Sequence, residues 1–388
     1  MAMANEASTT AGQDRVMLDA VERFLEREVR SHVRALEAAD EYPRELADRI
    51  AALGLYGATI SPEYGGLGLA ATVYTSVIER IAAVWMSLCG LFNSHLIAAA
   101  AIERFGTAEQ RERLLPRLAS GRLRAGIALT EPGCGTDLQA IRTRAVRSGD
   151  HYVINGSKMW ITNSVEGDAL AVLVKTDTAA QPPHRGMSLL FVEKTSGYRA
   201  SKLKKLGYRG IDTGEVSFHD VRVPADNLIG GVEGQGLKQI LAGLELGRIN
   251  VGARGVGLAR VCLEEALAYA QQRQSFGKPI AEHQAIQLKL ADMATRVEAA
   301  RLLVESAARA YDTGGRCDME AGMAKLYATE AAVENAIEAM RILGAYGYSP
   351  EYNIERYYRD APLLAIGEGT NEMQRIIIAR QLVKRHPV

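Results

Sequence analysis

A glutamate near the end of the chain, Glu368, stands alone between two glycines, Gly367 and Gly369. Glycine neighbours let the backbone and a ligand approach this carboxylate closely. The apolar run over residues 361–366 precedes it, and a dry setting raises the pKa of a carboxylate toward the range that suits a general base. The same pattern also fits a loop before a helix that Thr370 caps. Two roles therefore stay open for this segment, a proton-abstracting base and a helix cap.

A second candidate site is the loop that reads Thr-Glu-Pro-Gly-Cys-Gly-Thr-Asp from Thr130 to Asp137. Its backbone N–H groups and threonine hydroxyls can surround a flat polar ring or a phosphate. A tight turn explains the same composition, because short glycine motifs are weakly specific. Further along, Trp160 and Thr162 place an aromatic face beside a hydroxyl, which suits either packing against a ring system or a place in the core.

The elements that must position these residues change character twice along the chain. Apolar residues at helical spacing predict helices from residue 14 to about 38, from 43 to 54 and from 73 to 118. Short segments rich in branched and aromatic residues then predict strands, at Gly126–Thr130, His151–Thr162, Ala169–Thr176, Ser188–Val192 and Glu215–Val223. Within them, Asn155-Gly156 predicts a hairpin turn. From Gly236 onward, long amphipathic helices with short loops predict a four-helix bundle.

The predicted fold is therefore mainly α-helical with a central β domain. We assign residues 1–13 to a disordered tail and residues 14–122 to an N-terminal α-helical domain. Residues 123–235 form an antiparallel, β-barrel-like domain, and residues 236–388 form the C-terminal helical bundle.

Composition limits the classes of partner and compartment. Lys+Arg and Asp+Glu both number 46, so the zero net charge gives no sign of nucleic-acid binding. Four cysteines without metal-ligand spacing predict free thiols in a reducing cytoplasm and no metal site. The polar N-terminus predicts no signal peptide, and we find no apolar run near the roughly 20 residues that a membrane helix needs, so we expect no membrane insertion.

The motifs together resemble those of the acyl-CoA dehydrogenases. Ile366-Gly367-Glu368-Gly369-Thr370 is similar to the catalytic-base segment of that family, and Thr130–Asp137 is similar to its T-E-P-x-x-G-S-D signature. The segment Arg273–Ile280, with His283-Gln284 after it, reads locally as a helix end and a loop and resembles the family's R-x-x-F-G-x-x-I…H-Q stretch. The resemblance runs from about residue 14 to 385 with the motifs in family order.

The resemblance implies FAD as the cofactor and a homotetramer built as a dimer of dimers. It implies that Ile127, Leu129 and Thr130 line the flavin ring, that Trp160 packs on it and that Thr162 donates a hydrogen bond near flavin N5. It also implies that Arg273 contacts the flavin pyrophosphate of a neighbouring subunit, a task that suits its planar fork. The remaining cofactor residues implied in this way are Gly135, Thr136, Phe276, His283, Gln284, Arg341, Gly344, Ala345, Thr370 and Glu372. Arg341–Ala345 departs from the usual Q-x-x-G-G, which leaves the details of the second-subunit contact open.

The implied reaction is the α,β-dehydrogenation of an acyl thioester, carried by coenzyme A or a carrier protein, to the 2,3-enoyl product. Glu368 removes the α proton, a hydride passes from the β carbon to flavin N5, and an electron-transferring flavoprotein is the expected acceptor. Some relatives carry the base at the position of Gly247, which has no side chain to serve. The substrate residues expected from the resemblance are Thr136, Glu245, Arg248, Gly367 and Gly369.

The acyl group and the class of reaction retain alternatives. Gly367 leaves space beside the reacting bond, which suits a branched, cyclic or aryl acyl group, or serves only backbone freedom. Relatives that decarboxylate a dicarboxylic substrate need an arginine in the pocket, and residues 88–102 offer only His95, which disfavours that chemistry. Asn93 and His95 face either the acyl tail or the core. The rival functions are a flavin oxidase or monooxygenase of the same fold and a non-catalytic helical binding protein.

Overall fold

The computed structural model describes Gly12 and residues 14–387, together with the helical backbone of residues 2–11 and 13. The α-helices of the N-terminal unit are α1 (Ala2–Phe24), α2 (Val33–Ala39), α3 (Arg44–Ala52), α4 (Ala71–Trp85), α5 (Gly90–Phe105) and α6 (Ala108–Ala119). The helix α1 is assigned from Ala2, within the segment 1–13 that the sequence predicted as a tail. Because the side chains of that segment, Gly12 apart, lie outside the described residues, the tail stays a prediction.

The single helix expected over residues 14–38 is divided in the structure. A π-helical turn at Leu25–Val29 separates α1 from α2. Leu25 and Val29 are both buried, so the wider turn keeps apolar side chains directed at the core.

One helical stretch, Ala71–Phe105, is long and apolar enough for a membrane span by length and composition alone. The expectation that no apolar run approaches that length was therefore wrong. Of its most apolar window, 94% is buried inside the protein. The core helix of a folded domain passes the same test, and here α4 and α5 pack directly on the central helix of the C-terminal unit.

The central unit is a single curled sheet of seven strands. They are β1 (Ala125–Ala128), β2 (Arg144–Ser148), β3 (His151–Thr162), β4 (Ala169–Lys175), β5 (Met187–Glu193), β6 (Arg199–Lys202) and β7 (Thr213–Pro224). The strand order is β1-β4-β2-β3-β7-β6, with β5 paired to β4. The pairs β1–β4 and β2–β4 are parallel and the others are antiparallel. The sheet is thus mixed where the sequence predicted an antiparallel one.

The hairpin predicted at Asn155-Gly156 is wrong. Both residues lie inside β3, where the pairing with β7 shifts register between Ile154 and Gly156. A side chain at Gly156 would meet the backbone of Thr143, so the glycine serves a close approach of two chain segments at a bulge. The two-residue turn lies instead at Gly149-Asp150, between the paired residues Ser148 and His151.

The C-terminal unit is the predicted helical bundle. Its elements are α7 (Gly236–Gln272), the short hairpin strands β8 (Gln274–Ser275) and β9 (Lys278–Pro279), α8 (Gln284–Asp312), α9 (Asp318–Leu343), α10 (Ile354–Ile366) and α11 (Asn371–Arg385). One apolar core continues from the N-terminal helices into this bundle, and α7 runs through it against α4, α5, α8, α9 and α10. A smaller core lies within the sheet.

Candidate active site

The segment that carries Glu368 joins two helices of the bundle through a strained turn. The helix α10 ends at Ile366 and α11 begins at Asn371, so Glu368 falls in the connection. Glu368 has φ +55° and Gly369 has φ +87°, both in the left-handed region. A residue other than glycine held there costs of order 1–3 kcal/mol, which the surrounding structure must supply. The Thr370 hydroxyl accepts from the backbone N–H of Met373 at 3.4 Å, which confirms the predicted cap.

Buried side chains fix this connection from both ends. The ammonium of Lys325 donates to the carbonyl of Ala365 at 3.1 Å and to the side chain of Asn371 at 2.8 Å. The side-chain amide of Gln374 donates to the carbonyl of Gly369 at 3.0 Å. Burial lowers the pKa of Lys325 to about 8, against the opposing charge of Glu368. These contacts place the strained turn in one position.

The carboxylate of Glu368 points inward, between α5 and α7. Asn93 on α5 donates to Oε1, whereas Oε2 is buried and has no hydrogen-bond partner. Burial raises the pKa of Glu368 above its ordinary value, while the charges of Arg254 and Lys325 and the Asn93 amide hold it down. One carboxylate oxygen is therefore free to accept a proton in a dry setting.

The glycines around Glu368 do different things. A Cβ at Gly247 on α7 would collide with Oε2 of Glu368, so this glycine makes room for the carboxylate. Gly367 has φ −69°, an ordinary value for any residue, and a Cβ there would meet only Leu363, at 3.3 Å from its carbonyl oxygen. Backbone freedom is thus required at Gly369 and is not required at Gly367.

The loop from Thr130 to Asp137 is anchored by its own acidic residue. Glu131 is buried and accepts from the backbone N–H groups of Arg142 at 2.6 Å and Thr143 at 2.9 Å. Lys158 on β3 donates to Glu131 at 2.9 Å and to the carbonyl of Leu129 at 2.9 Å. This buried ion pair fixes the loop to β3, while Gly135 and Thr136 stay exposed at its tip.

The structure places Thr130 against the residue that precedes Trp160. The backbone N–H of Met159 donates to the carbonyl of Thr130 at 2.9 Å. Trp160 has φ +64° and leaves 58% of its surface exposed, and Thr162 and Ile127 are half-buried beside it on β3 and β1. The alternative of a core tryptophan is therefore wrong.

The segment from Arg273 to Gln284 forms a projecting hairpin, β8–β9. Phe276 lies at its tip with φ +52° and is 95% exposed. The ring of His283 lies 6.1 Å from that of Phe276, and its Nε2 lies 3.1 Å from the carbonyl oxygen of Ser275. Arg273 and Gln284 are exposed at the end of α7 and the start of α8. An aromatic side chain held this far from its own core offers a surface for another group.

The other predicted site residues make contacts that do not involve Glu368. Arg341 pairs with Glu338 at 2.7 Å at the end of α9, next to the exposed Gly344 and Ala345. Glu372 is exposed in the first turn of α11. Arg248 adjoins Gly247 but pairs with Asp318 at 3.2 Å.

Glu245 is buried on α7, and its pKa is raised by burial and by Asp318. It lies 3.8 Å from Arg316. Glu245 and Arg248 thus belong to one network of charges at the start of α9.

Sequence reasoning left two buried residues of α5 open. His95 accepts from the backbone N–H of Ala125 at Nδ1, 3.0 Å away, and its Nε2 lies 3.2 Å from the carbonyl oxygen of Leu118. Burial lowers its pKa to about 4, so His95 is a neutral core residue. Asn93 belongs to the site through Glu368.

Sequence reasoning missed Lys325 and Arg254 altogether. Each is a cation whose immediate chain neighbours are small or apolar, and that was the signal available in the sequence.

Comparison with known proteins now gives the family. The family models for the acyl-CoA dehydrogenase N-terminal, middle and C-terminal domains match residues 12–122, 126–221 and 234–383. The chain belongs to the acyl-CoA dehydrogenase family. It is therefore a flavin-dependent oxidoreductase, and the predicted family, fold class and FAD cofactor are confirmed.

Individual relatives match nearly the whole chain. An acyl-CoA dehydrogenase of Bacillus subtilis is 40% identical over 96% of this chain and 98% of its own length. A (2S)-methylsuccinyl-CoA dehydrogenase of Cereibacter sphaeroides is 38% identical over 94% of this chain and 68% of its own length. A caffeyl-CoA reductase–Etf complex subunit, CarC, of Acetobacterium woodii is 36% identical over 96% and 99%.

Solved structures agree in fold. The acyl-CoA dehydrogenase from Geobacillus kaustophilus superposes with a TM-score of 0.92 at 39% identity, over 95% of this chain and 98% of that one. A glutaryl-CoA dehydrogenase from Mycobacterium smegmatis in complex with FADH2 superposes with a TM-score of 0.89 at 30% identity, over 96% of this chain and 95% of that one.

The residues of this chain fit the cofactor that the family uses. Trp160 and Phe276 expose aromatic faces that a flat ring or a neighbouring subunit would cover. Gly133 has open space around it, and a Cβ at Gly135 would meet only Thr130, at 3.8 Å. The loop therefore has room beside its hydroxyls for a large ligand. Among the described residues, no group of three or more His, Cys, Asp or Glu is placed to hold a metal.

Proposed function

We propose that this chain dehydrogenates an acyl-CoA thioester to the 2,3-enoyl thioester, with Glu368 as the base that removes the α proton. The observation that carries the proposal is the buried, unpartnered Oε2 of Glu368, which lies over Gly247 where no side chain competes for the space. Its raised pKa suits a base that must take a proton from a weak carbon acid near neutral pH. FAD, when bound, accepts the hydride that leaves the β carbon.

The backbone beside the base supplies a further group. Within the part of the chain that the structure describes, no acceptor meets the backbone N–H of Glu368. A free N–H at this position suits the thioester carbonyl oxygen, on which negative charge develops as the α proton leaves. One such donor contributes about 3 kcal/mol to the stabilisation of a transition state. The strained turn thus aims both the carboxylate and an N–H at the substrate.

We further propose that the acyl group is branched, cyclic or aryl at the reacting carbons. The support is Gly367, whose backbone conformation does not demand glycine and whose missing side chain leaves space beside Glu368. The methylsuccinyl group in the name of one relative is a branched acyl group of this kind.

The cofactor half of the site leads to proposals about assembly and partners. We propose that Thr130, Thr136, Trp160 and Thr162 hold FAD and that the Arg273–Gln284 hairpin reaches the FAD of a neighbouring subunit in a homotetramer. Support comes from the exposed Phe276 and from the resemblance of the motifs. An electron-transferring flavoprotein is the proposed acceptor, supported by the relative that belongs to an Etf complex. We propose a cytoplasmic location.

The test is anaerobic reduction of the purified flavoprotein by a panel of straight, branched, cyclic, aryl and dicarboxylic acyl-CoA thioesters. We expect bleaching of the flavin by at least one member and formation of the enoyl thioester in equal amount. No bleaching by any thioester would contradict the proposed function. Rapid oxygen consumption in air, with no reduction of an artificial acceptor, would assign the chain to the oxidases instead.

A further inference from the structure

A second buried charge lies on the same face of α7 as the site of Glu368. Gly247, Asn250, Val251 and Arg254 are spaced by three and four residues and so share one side of the helix. The carboxylate of Glu368 occupies the place above Gly247, and Arg254 lies two turns further along with only 4% of its surface exposed. A substrate held against Glu368 along this face would approach Arg254.

The hydrogen-bond partners of Arg254 are all neutral. Its Nε donates to Oδ1 of Asn250 at 2.7 Å, and its two terminal nitrogens donate to the hydroxyl of Tyr208 and to the carbonyl of Cys89, each at 3.2 Å. A guanidinium has five N–H groups, so two have no acceptor among the described residues. No described carboxylate lies within ion-pair distance of it. A buried cation without an anionic partner is costly, which points to a partner that arrives with a ligand.

The two buried cations near Glu368 differ in the carboxylates that act on them. Arg254 and Lys325 are both buried, and the hydrogen-bond partners of each are neutral. Among the described residues, the charges of Glu368, Glu330 and Glu372 all act on Lys325, whereas Glu368 is the one carboxylate that acts strongly on Arg254, and Glu368 becomes neutral when it takes the α proton. The neighbouring Arg248 is already paired with Asp318.

Another buried carboxylate, Asp360, serves a different contact. It accepts from the backbone N–H of Tyr208 at 2.6 Å and faces Arg356 and Arg359. It therefore does not serve as the anionic partner of Arg254.

The geometry of α5 completes this end of the site. A Cβ at Gly90 would collide with the hydroxyl of Tyr208, so the glycine admits that hydroxyl beside Arg254. Side chains on a helix lean toward its N-terminus, and the bond from Arg254 to Asn250 shows this lean. The guanidinium thus lies about one turn, roughly 5 Å along the axis, from the level of Gly247. That span suits a short acyl group.

We propose that Arg254 binds a carboxylate at the far end of the acyl group, so that the preferred substrate is the coenzyme A monothioester of a short dicarboxylic acid. The proposal rests on the proposed function and names its substrate class. The distal carboxylate takes no part in bond making: the α proton still goes to Glu368 and the hydride to FAD. Gly367 and Arg254 concern different parts of the acyl group, so a branch near the reacting carbons and a distal carboxylate are compatible.

This inference bears on an expectation from the sequence. Residues 88–102 contain no arginine, which disfavoured the decarboxylation of a dicarboxylic substrate. In the structure an arginine of α7 reaches that segment, because Arg254 donates a hydrogen bond to the carbonyl of Cys89.

The test compares thioesters that differ only in a terminal carboxylate or methyl group: succinyl-CoA with butyryl-CoA, and glutaryl-CoA with valeryl-CoA. We expect wild-type kcat/KM to favour the dicarboxylic member by at least about tenfold, as charge-assisted hydrogen bonds allow. Arg254→Gln should abolish that preference mainly through KM, and Arg254→Lys should retain part of it. Because Arg254 also holds down the pKa of Glu368, Arg254→Gln should slow both members of a pair at low pH, so the readout is the ratio of their two kcat/KM values, measured on the alkaline plateau.

Binding without turnover gives a second measurement. In Glu368→Gln, calorimetry should show tighter binding of succinyl-CoA than of butyryl-CoA, and adding Arg254→Gln should remove the difference. Equal losses on both members of a pair would make Arg254 a counter-charge for Glu368 and overturn the inference. A wild-type preference for the uncharged member would also overturn it, with no variant needed. Failure of every thioester to bleach the flavin would instead refute the proposed function.

Discussion

Two regions that the motifs mark as functional differ in how far one chain completes them. The Glu368 turn is enclosed: Asn93 and Lys325 contact it or its ends from α5 and α9, and the carboxylate is buried. The Arg273–Gln284 hairpin is open, with Phe276 at 95% exposure and Arg273 exposed. The proposed proton-transfer half of the site is enclosed within one chain, whereas the proposed cofactor half exposes groups that a neighbouring subunit would cover.

The difference indicates which properties a mutation in one region should change and which it should leave unchanged. Changes at the Glu368 turn should alter chemistry and acyl selectivity while FAD and assembly persist. Changes at the hairpin should alter FAD retention and assembly while the chemistry of loaded protein persists. Each prediction below tests one side of that separation.

The largest expected effect is on the enclosed side. Glu368→Gln keeps the shape of the side chain but removes the base, so anaerobic bleaching should slow by at least about a hundredfold. FAD content and oligomeric mass should match wild type. The exposed Glu112 on α6 gives the control variant Glu112→Gln, which should bleach normally. Bleaching of Glu368→Gln at the wild-type rate would refute the assignment of the base.

A variant that moves the carboxylate from the turn to α7 tests the same assignment of the base. Because Oε2 of Glu368 occupies the space above Gly247, Glu368→Gly should free that space for a side chain from α7. Adding Gly247→Glu should then recover part of the activity lost in Glu368→Gly. Recovery would show that the position of the carboxylate matters more than the segment that bears it.

The next effect belongs to the open side. Arg273→Ala should weaken FAD retention by about tenfold or more, since a hydrogen bond to a charged group contributes about 1.5–3 kcal/mol. Flavin content and light scattering measure retention and mass, and saturating FAD should restore bleaching because Glu368 is untouched. Arg27→Ala, an exposed arginine of the N-terminal unit, is the control. An Arg273→Ala oligomer with full FAD content and unchanged mass would contradict the proposed contact across subunits.

A smaller and selective effect is expected at Gly367. Tyrosine there should fill the space beside the reacting carbons and cost about 1–3 kcal/mol with branched or cyclic thioesters, while straight chains keep their kcat/KM. Gly367→Ala controls for the backbone, since its Cβ meets only Leu363. Equal losses on straight and branched thioesters, with FAD bound, would leave the spacious pocket without support.

The smallest effect is a shift with pH. Asn93 donates to Glu368 and lowers its pKa, so Asn93→Ala should raise that pKa further. The base works deprotonated; therefore the acid limb of kcat/KM should move to higher pH, by up to about one unit for one hydrogen bond. The rate on the alkaline plateau should change little. Ser94→Ala, on the same helix, should leave the limb in place, and a limb that moves to lower pH would contradict the contact.

Much of the fold was predictable because its signals are local. Helical spacing identified the helices of the bundle, and branched residues identified five of the seven strands of the sheet but missed β2 and β6. The failures were also physical. Asn155-Gly156 has the composition of a tight turn, but a neighbouring strand packs on Gly156 and holds both residues inside β3. A membrane-length apolar stretch and a buried core helix likewise share one composition, and only packing separates them.

The sequence by itself determined the chemistry at hand: a carboxylate between glycines at Glu368, the family motifs, and the missing side chain at Gly247. Residue type and short-range spacing suffice for these, because each motif lies within one segment. The tertiary structure decided what surrounds that carboxylate. Asn93 reaches Glu368 across 275 positions, and Arg254 meets Cys89 across 165. Whether a buried charge has a neutral or an ionic partner depends on which distant segments pack together, and short sequence patterns do not specify that packing.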